Sequence, residues 1–180
     1  MNCHKTTIDG LLVLESLKFP DLRGSFYESY SHRAYESIGI RDDFVQDNIS
    51  YSTKGVLRGL HCQKVKSQSQ LVTVISGSIF DVCLDLRKGS STFGQWYSIL
   101  LEEEGKNQIY MPPGFAHGFC VLSNQSVLHY KVSELYDPKN DSGILWNDSS
   151  LNIPWPIKTP IISEKDKENI SFEEYIKSSA

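Results

Sequence analysis

His61 stands in the segment VLRGLHCQ, three residues after Arg58 and two before Gln63. An imidazole titrates near neutrality and can take a proton from carbon or oxygen, so it is a candidate general base. A metal site opened by a His-x-His pair would need a second imidazole at position 63. The amide of Gln63 stands there instead, and one histidine with an amide makes a poor zinc or iron site. Taken alone, the segment favours reading His61 as a satisfied core histidine. Tyr130, in VLHYKVSELY, could hand over or accept a proton, or could be an ordinary strand aromatic. His117, in PPGFAHGF, lies among Pro112, Pro113, Gly114 and Gly118; it is either structural or aimed into a cleft.

Asp166, in SEKD, has a plainer role available. Ser163 three residues earlier resembles the start of a capping box, and acidic residues suit a first helical turn. Arg23 in DLRGSF and Arg58 in LRGLH each precede a glycine. Glycine allows close backbone approach, and a guanidinium grips phosphate oxygens in a fork. Either arginine could equally be a surface residue.

The elements that must position these groups are mostly strands. Residues 7–16 begin with a turn and continue as a strand, and FPDLRGSFYESY reads as a turn followed by another. SHRAYESIGI, residues 31–40, predicts one short helix behind a serine cap. DFVQDNISYST, GVLRGLHCQ, LVTVISGSIFDVCLDLR, FGQWYSILLE, NQIYMPP, GFAHGFCVLS and SVLHYKVSELY then follow one another closely. The third of these reads as a hairpin turning at Gly77-Ser78, with only approximate alternation at Ile79, Val82 and Leu84. The tail from Ser163 to Ser178 reads as helical. The expected architecture is an all-β barrel or jelly roll with minor helices, built as a single domain over residues 1–180.

Composition narrows the partners. With 18 basic against 22 acidic residues and a formal net charge of −4, the chain lacks the basic surplus that favours nucleic acid. A few arginines in one cleft would still hold a small diphosphate. Cys3, Cys62, Cys83 and Cys120 form no CxxC pair, which argues against a cysteine zinc site. The start MNCHKTTIDG is unlike a signal peptide, and the longest apolar runs are too short to span a bilayer, so a cytoplasmic location is expected.

Eight segments, in order, carry a resemblance: FPDLRGSFYES, FVQDNISYSTKGVLRGLHCQ, GSIFDVCLDLRKGSSTFGQW, MPPGFAHGFCVLS, LHYKVSELYDP, GILWND, IPWP and SEKD. Together they resemble the dTDP-4-dehydrorhamnose 3,5-epimerase family from about residue 8 to residue 166. The resemblance implies a cupin-like jelly roll, a homodimer with shared active sites, and a nucleoside-diphosphate 4-keto-6-deoxy sugar as substrate, used for surface polysaccharide. It implies His61 as base, Asp166 as its partner and Tyr130 as proton donor from the opposite face. It places Arg23, Glu28, Gln46, Asn48, Arg58, His117 and Tyr136 around the substrate and its diphosphate, with the Arg23 segment reaching across from the neighbouring subunit. It also implies that neither metal nor redox cofactor takes part, in agreement with the lack of a dinucleotide-binding glycine motif.

One stretch departs from that pattern. Where the family ends a loop in Gln-Gly-Lys, this chain reads Gln68-Ser69-Gln70, and the loop after His61 is one residue shorter. The family lysine is held to stabilise the enolate oxygen. Gln70 could replace it with a neutral donor, Lys64 or Lys66 could swing in, or the substrate could differ. Cys62, where the family often has an aromatic, suggests an altered pocket. The alternatives left open are inversion at C3 or C5 alone, a GDP-linked 4-keto heptose, a 3,4-ketoisomerase and an inactive sugar-nucleotide-binding homologue.

Overall fold

The computed structural model describes residues 1–178. Its strands are β1 (Asn2–Lys5), β2 (Leu12–Glu15), β3 (Lys18–Asp21), β4 (Gly24–Tyr27), β5 (Gln46–Thr53), β6 (Leu57–Gln63), β7 (Gln70–Ser76), β8 (Ser78–Asp85), β9 (Trp96–Glu102), β10 (Gln108–Met111), β11 (Phe115–Val121), β12 (Gln125–Val132) and β13 (Asp141–Gly143). Three short helices accompany them: α1 (His32–Glu36), α2 (Glu164–Lys167) and α3 (Phe172–Ser178). A six-stranded sheet runs β1-β2-β10-β7-β12-β5, a five-stranded sheet runs β13-β6-β11-β8-β9, and β3 pairs with β4 as a separate hairpin.

The two large sheets share one core. Val13, Val72, Val74, Ile109 and Leu128 from the first meet Ile79, Cys83, Leu101, Phe119 and Val121 from the second. A second apolar layer covers the far side of the five-stranded sheet, where Leu60, Cys62, Val82 and Leu84 pack with Ile144, Leu151 and Tyr175. A third lies outside the six-stranded sheet, where Leu14, Leu71 and Tyr110 meet Tyr35 and Ile40. Central strands are therefore buried on both faces. That explains why LVTVIS and IFDVCLDL read as near-continuous apolar runs rather than clean alternations.

Three expectations are corrected. β7 and β8 do not form a hairpin: β7 pairs with β10 and β12, whereas β8 pairs with β9 and β11. Gly77 turns the chain from one sheet into the other. Its φ is +85°, and a Cβ there would stand 2.3 Å from the Gln125 carbonyl oxygen, so the corner admits no side chain. The tail is not one helix. Ile170 leaves the helical path and bridges Ile144 in parallel, separating α2 from α3. Phe19–Asp21, read as part of a turn, belong to strand β3 and pair with β4. The strands β1 and β13 have no counterpart in the pattern reading, because each is short and is stabilised by the strand beside it.

Candidate active site

The cavity opens between the two large sheets. Its volume is about 370 Å³, and β5, β6, β7, β11 and β12 supply most of its walls. Strand geometry explains the lining. Gln46, Asn48 and Ser50 alternate along β5, so their side chains share one face. On the neighbouring strand Tyr130 lies opposite Asn48 and Leu128 opposite Ser50, and both line the same wall. Arg58 and His61 are three apart on β6, which strict alternation would send to opposite faces. The pairing with β11 absorbs the extra residue: His117 is matched to His61 but Phe119 to Arg58. This bulge lets both side chains reach the cavity. Gly59 sits within it, and a Cβ there would stand 2.5 Å from the Gly118 Cα, so β6 and β11 approach too closely for any other residue.

His61 and Asp166 form a short polar contact at the edge of the cavity. His61 Nε2 lies 2.5 Å from Asp166 Oδ1, and Asp166 is 2% exposed. The carboxylate can only accept, so Nε2 donates to it, and in the neutral ring Nδ1 is the nitrogen that holds the lone pair. Asp166 also accepts from the Gly59 amide at 3.4 Å. Burial pushes its pKa up, but hydrogen bonds and charge from His61, with support from Gly59 and Ser163, hold it below the ordinary carboxylate value. The capping expectation is half met. Ser163 accepts the Asp166 amide at 3.1 Å and caps α2, while the Asp166 carboxylate turns to the histidine instead of closing the box.

Tyr130 occupies the wall supplied by the six-stranded sheet, whereas His61 belongs to the five-stranded one. Burial raises the Tyr130 pKa, against a smaller opposing pull from Arg58. Arg58 is braced by Ser52 Oγ at 3.0 Å and the Tyr51 carbonyl at 3.3 Å. His117 Nε2 lies 2.7 Å from Asp81, a fully buried carboxylate. Tyr136 donates to Asp141 at 2.7 Å, and Asp141 is also paired with Lys165. Gln46 donates to Asn48 at 2.8 Å and accepts from the Tyr136 amide at 3.3 Å.

Of the residues singled out from sequence, the fold brings His61, Tyr130, Gln46, Asn48, Arg58, Gln70, His117 and Tyr136 to one cavity, with Asp166 behind His61. It does not bring Arg23 or Glu28 there. Arg23 stands in the β3–β4 turn, paired with Asp21 at 2.6 Å and 90% exposed, and Glu28 is exposed just past β4. Among the candidates for the lysine position, Gln70 lines the cavity. Lys64 instead reaches Ser178 at 3.2 Å and lies over the Tyr175 ring, and Lys66 is exposed outside the cavity lining. Cys62 contributes to the cavity wall, but its side chain belongs to the outer apolar layer with Tyr175. Burial there raises its pKa to about 11.

Sequence reasoning missed Asp81, Asp141 and Lys165. Lys165 had a signal in its adjacency to Asp166; the two aspartates had none, because only tertiary pairing gives them partners. Among the described residues, no group of three or more His, Cys, Asp or Glu side chains is gathered to hold a metal ion. No helix among them is long and apolar enough to cross a membrane.

Comparison with known proteins matches residues 5–174 to the family model for dTDP-4-dehydrorhamnose 3,5-epimerase. The chain is 48% identical over 168 residues to the dTDP-4-dehydrorhamnose 3,5-epimerase of Shigella flexneri, covering 92% of this chain and 93% of that one. Among solved structures, the Bacillus anthracis dTDP-4-dehydrorhamnose 3,5-epimerase with TDP and PPi bound superposes with a TM-score of 0.92 at 45% identity, over 95% of this chain and 99% of that one. The Legionella pneumophila dTDP-6-deoxy-D-glucose-3,5-epimerase in complex with dTDP-4-keto-L-rhamnose gives a TM-score of 0.92 at 45% identity, over 96% and 93%.

Proposed function

We propose that this chain, which belongs to the dTDP-4-dehydrorhamnose 3,5-epimerase family, inverts C3 and C5 of dTDP-4-keto-6-deoxyglucose through an enolate. The observation that carries the reading is the buried Asp166 carboxylate against His61, in a cavity whose other wall holds Tyr130. The C4 ketone acidifies the C–H bonds on either side of it. His61 takes one of these protons at Nδ1, and the electron pair moves onto the C4 oxygen. Asp166 supports the imidazolium that forms. Tyr130 then returns a proton to the same carbon from the other face and the ketone is restored. One C–H bond breaks and one forms, with no net oxidation, and solvent resets both side chains.

The remaining roles follow from charge and shape. Arg58 and His117 hold the diphosphate and sugar, and the amides of Gln46, Asn48 and Gln70 give neutral hydrogen bonds, with Gln70 donating to the C4 oxygen. Residues 1–180 act as one domain, and two copies form a homodimer in which Arg23 and Glu28 of each complete the cavity of the other. Supporting this, the β3–β4 hairpin exposes Phe19, Leu22 and Phe26, and the edge strand β5 exposes Ile49 and Tyr51. Exposed apolar groups on an edge strand and a projecting hairpin are surfaces that a partner covers.

The test is turnover of dTDP-4-keto-6-deoxyglucose in deuterium oxide. Deuterium at both C3 and C5 is the expected result. Labelling at one carbon alone would select a single-centre epimerase, and unlabelled substrate would end the reading.

A further inference from the structure

Gln70 enters the cavity from the first position of β7, so its placement depends on what holds the preceding residue. Ser69 is fully buried and held from three directions. Its amide donates to Ser133 Oγ at 2.9 Å, its carbonyl accepts from the Ser133 amide at 3.1 Å, and the two hydroxyl oxygens lie 2.9 Å apart. Its hydroxyl also donates to Asp42 Oδ1. The other Asp42 oxygen accepts from the Tyr110 hydroxyl at 2.6 Å. Among the described residues, no lysine, arginine or histidine forms an ion pair with Asp42. A carboxylate held by two neutral hydroxyls, with no cation in ion-pairing contact, forms charge-assisted hydrogen bonds, which are directional. The seam it fastens joins the start of β7 to the end of β12. Gln68, which donates to the Glu134 carbonyl at 2.7 Å, and Gln70 both flank Ser69 and both line the cavity.

We propose that Asp42 is a positioning residue for catalysis, which acts through Ser69 to hold the Gln70 amide against the substrate's C4 oxygen. This rests on the epimerase reading above. A neutral amide stabilises an enolate oxygen less than a cation does, so its worth depends on being held in place beforehand. Ser69 and Gln70 are also the two positions where this chain leaves the family's Gln-Gly-Lys. The serine hydroxyl gives Asp42 a handle on the backbone beside the substituted donor.

A double-mutant cycle on the full-length enzyme tests this. Asp42→Ala is expected to lower kcat about tenfold, the size of loss that a small misplacement brings, while KM stays nearly unchanged. Gln70→Ala is expected to lower kcat by about 10- to 100-fold, somewhat less than the removal of a typical oxyanion donor. Adding Asp42→Ala to Gln70→Ala should then cost nothing further. If Asp42→Ala does not fold, Asp42→Asn keeps the volume and enters the same cycle. Losses that multiply, a wild-type kcat in the Asp42 variant, or a silent Gln70→Ala each overturn the proposal. If the unaltered enzyme labels neither C3 nor C5 in deuterium oxide, the epimerase reading itself has failed; if it labels them and only the cycle fails, that reading stands.

Discussion

Oδ1 of Asp166 lies 2.5 Å from Nε2 of His61, although one side chain comes from helix α2 and the other from strand β6, about a hundred residues earlier in the chain. The contact fixes which tautomer the neutral ring adopts and makes Nδ1 its basic nitrogen, as a carbon base requires. Asp166→Asn should therefore keep the fold while reversing the hydrogen bond and presenting the wrong nitrogen. The expected loss in kcat is about 10³-fold or more, with dTDP affinity retained. His61→Ala should abolish turnover and likewise keep nucleotide binding, measured by calorimetry. Near-normal rates in either variant would remove the dyad from the mechanism.

Tyr130→Phe should lower kcat by about 10²–10⁴, the range for loss of a general acid. It should spare the first proton abstraction, so solvent deuterium washes into the substrate faster than product appears. Because burial raises the pKa of this phenol, it stays protonated through neutral pH. The unaltered enzyme should accordingly lose no rate to Tyr130 ionisation below about pH 10. An acid-side requirement for ionised Tyr130 would contradict its role as donor.

The proposed sharing of each cavity between two copies predicts complementation. Arg23→Ala and His61→Ala homodimers should each be inactive. Mixed dimers, made by co-expression with different tags and purified on both, should recover part of the activity, since one of their two cavities contains neither change. Inactive mixed dimers, or a monomer by light scattering, would confine each site to one chain and leave Arg23 without a function in it.

Asp85 gives a stability prediction with a definite sign. It accepts from the Arg87 amide and guanidinium, from Ser90 and from Thr92, at 2.7–2.9 Å. Burial raises its pKa, but these donors, Arg87 foremost, win and hold it far below the usual carboxylate value. A group whose pKa is depressed by folding stabilises the protein above its unfolded pKa, and that stability is lost as the pH falls toward the folded one. Urea unfolding should thus show the Asp85 contribution intact above about pH 5 and shrinking below about 3.9. Asp85→Asn should cost about 3 kcal/mol at pH 7, and the gap to the unaltered protein should narrow in acid. A gap independent of pH would assign the loss to packing.

Local pattern marks most of the strands, though not β1 or β13, and most of the groups that meet in the cavity. Apolar runs between turn residues marked β5 through β12, and family motifs marked His61, Tyr130 and Asp166. It could not say which strands pair. The run through Gly77 looks like a hairpin locally, and only the competition between two sheets for β7 and β8 makes it a corner. Nor could it tell a capping aspartate from one that orients a histidine, because Asp166 meets both local rules and its partner is distant in the chain. Asp81 and Asp42 were invisible for the same reason: a carboxylate acquires a role from what the fold packs against it. Hydrophobic pattern and turn chemistry are local and can be read from spacing; partner choice among buried polar groups is a property of long-range packing, and it was decided only when the sheets closed over one another.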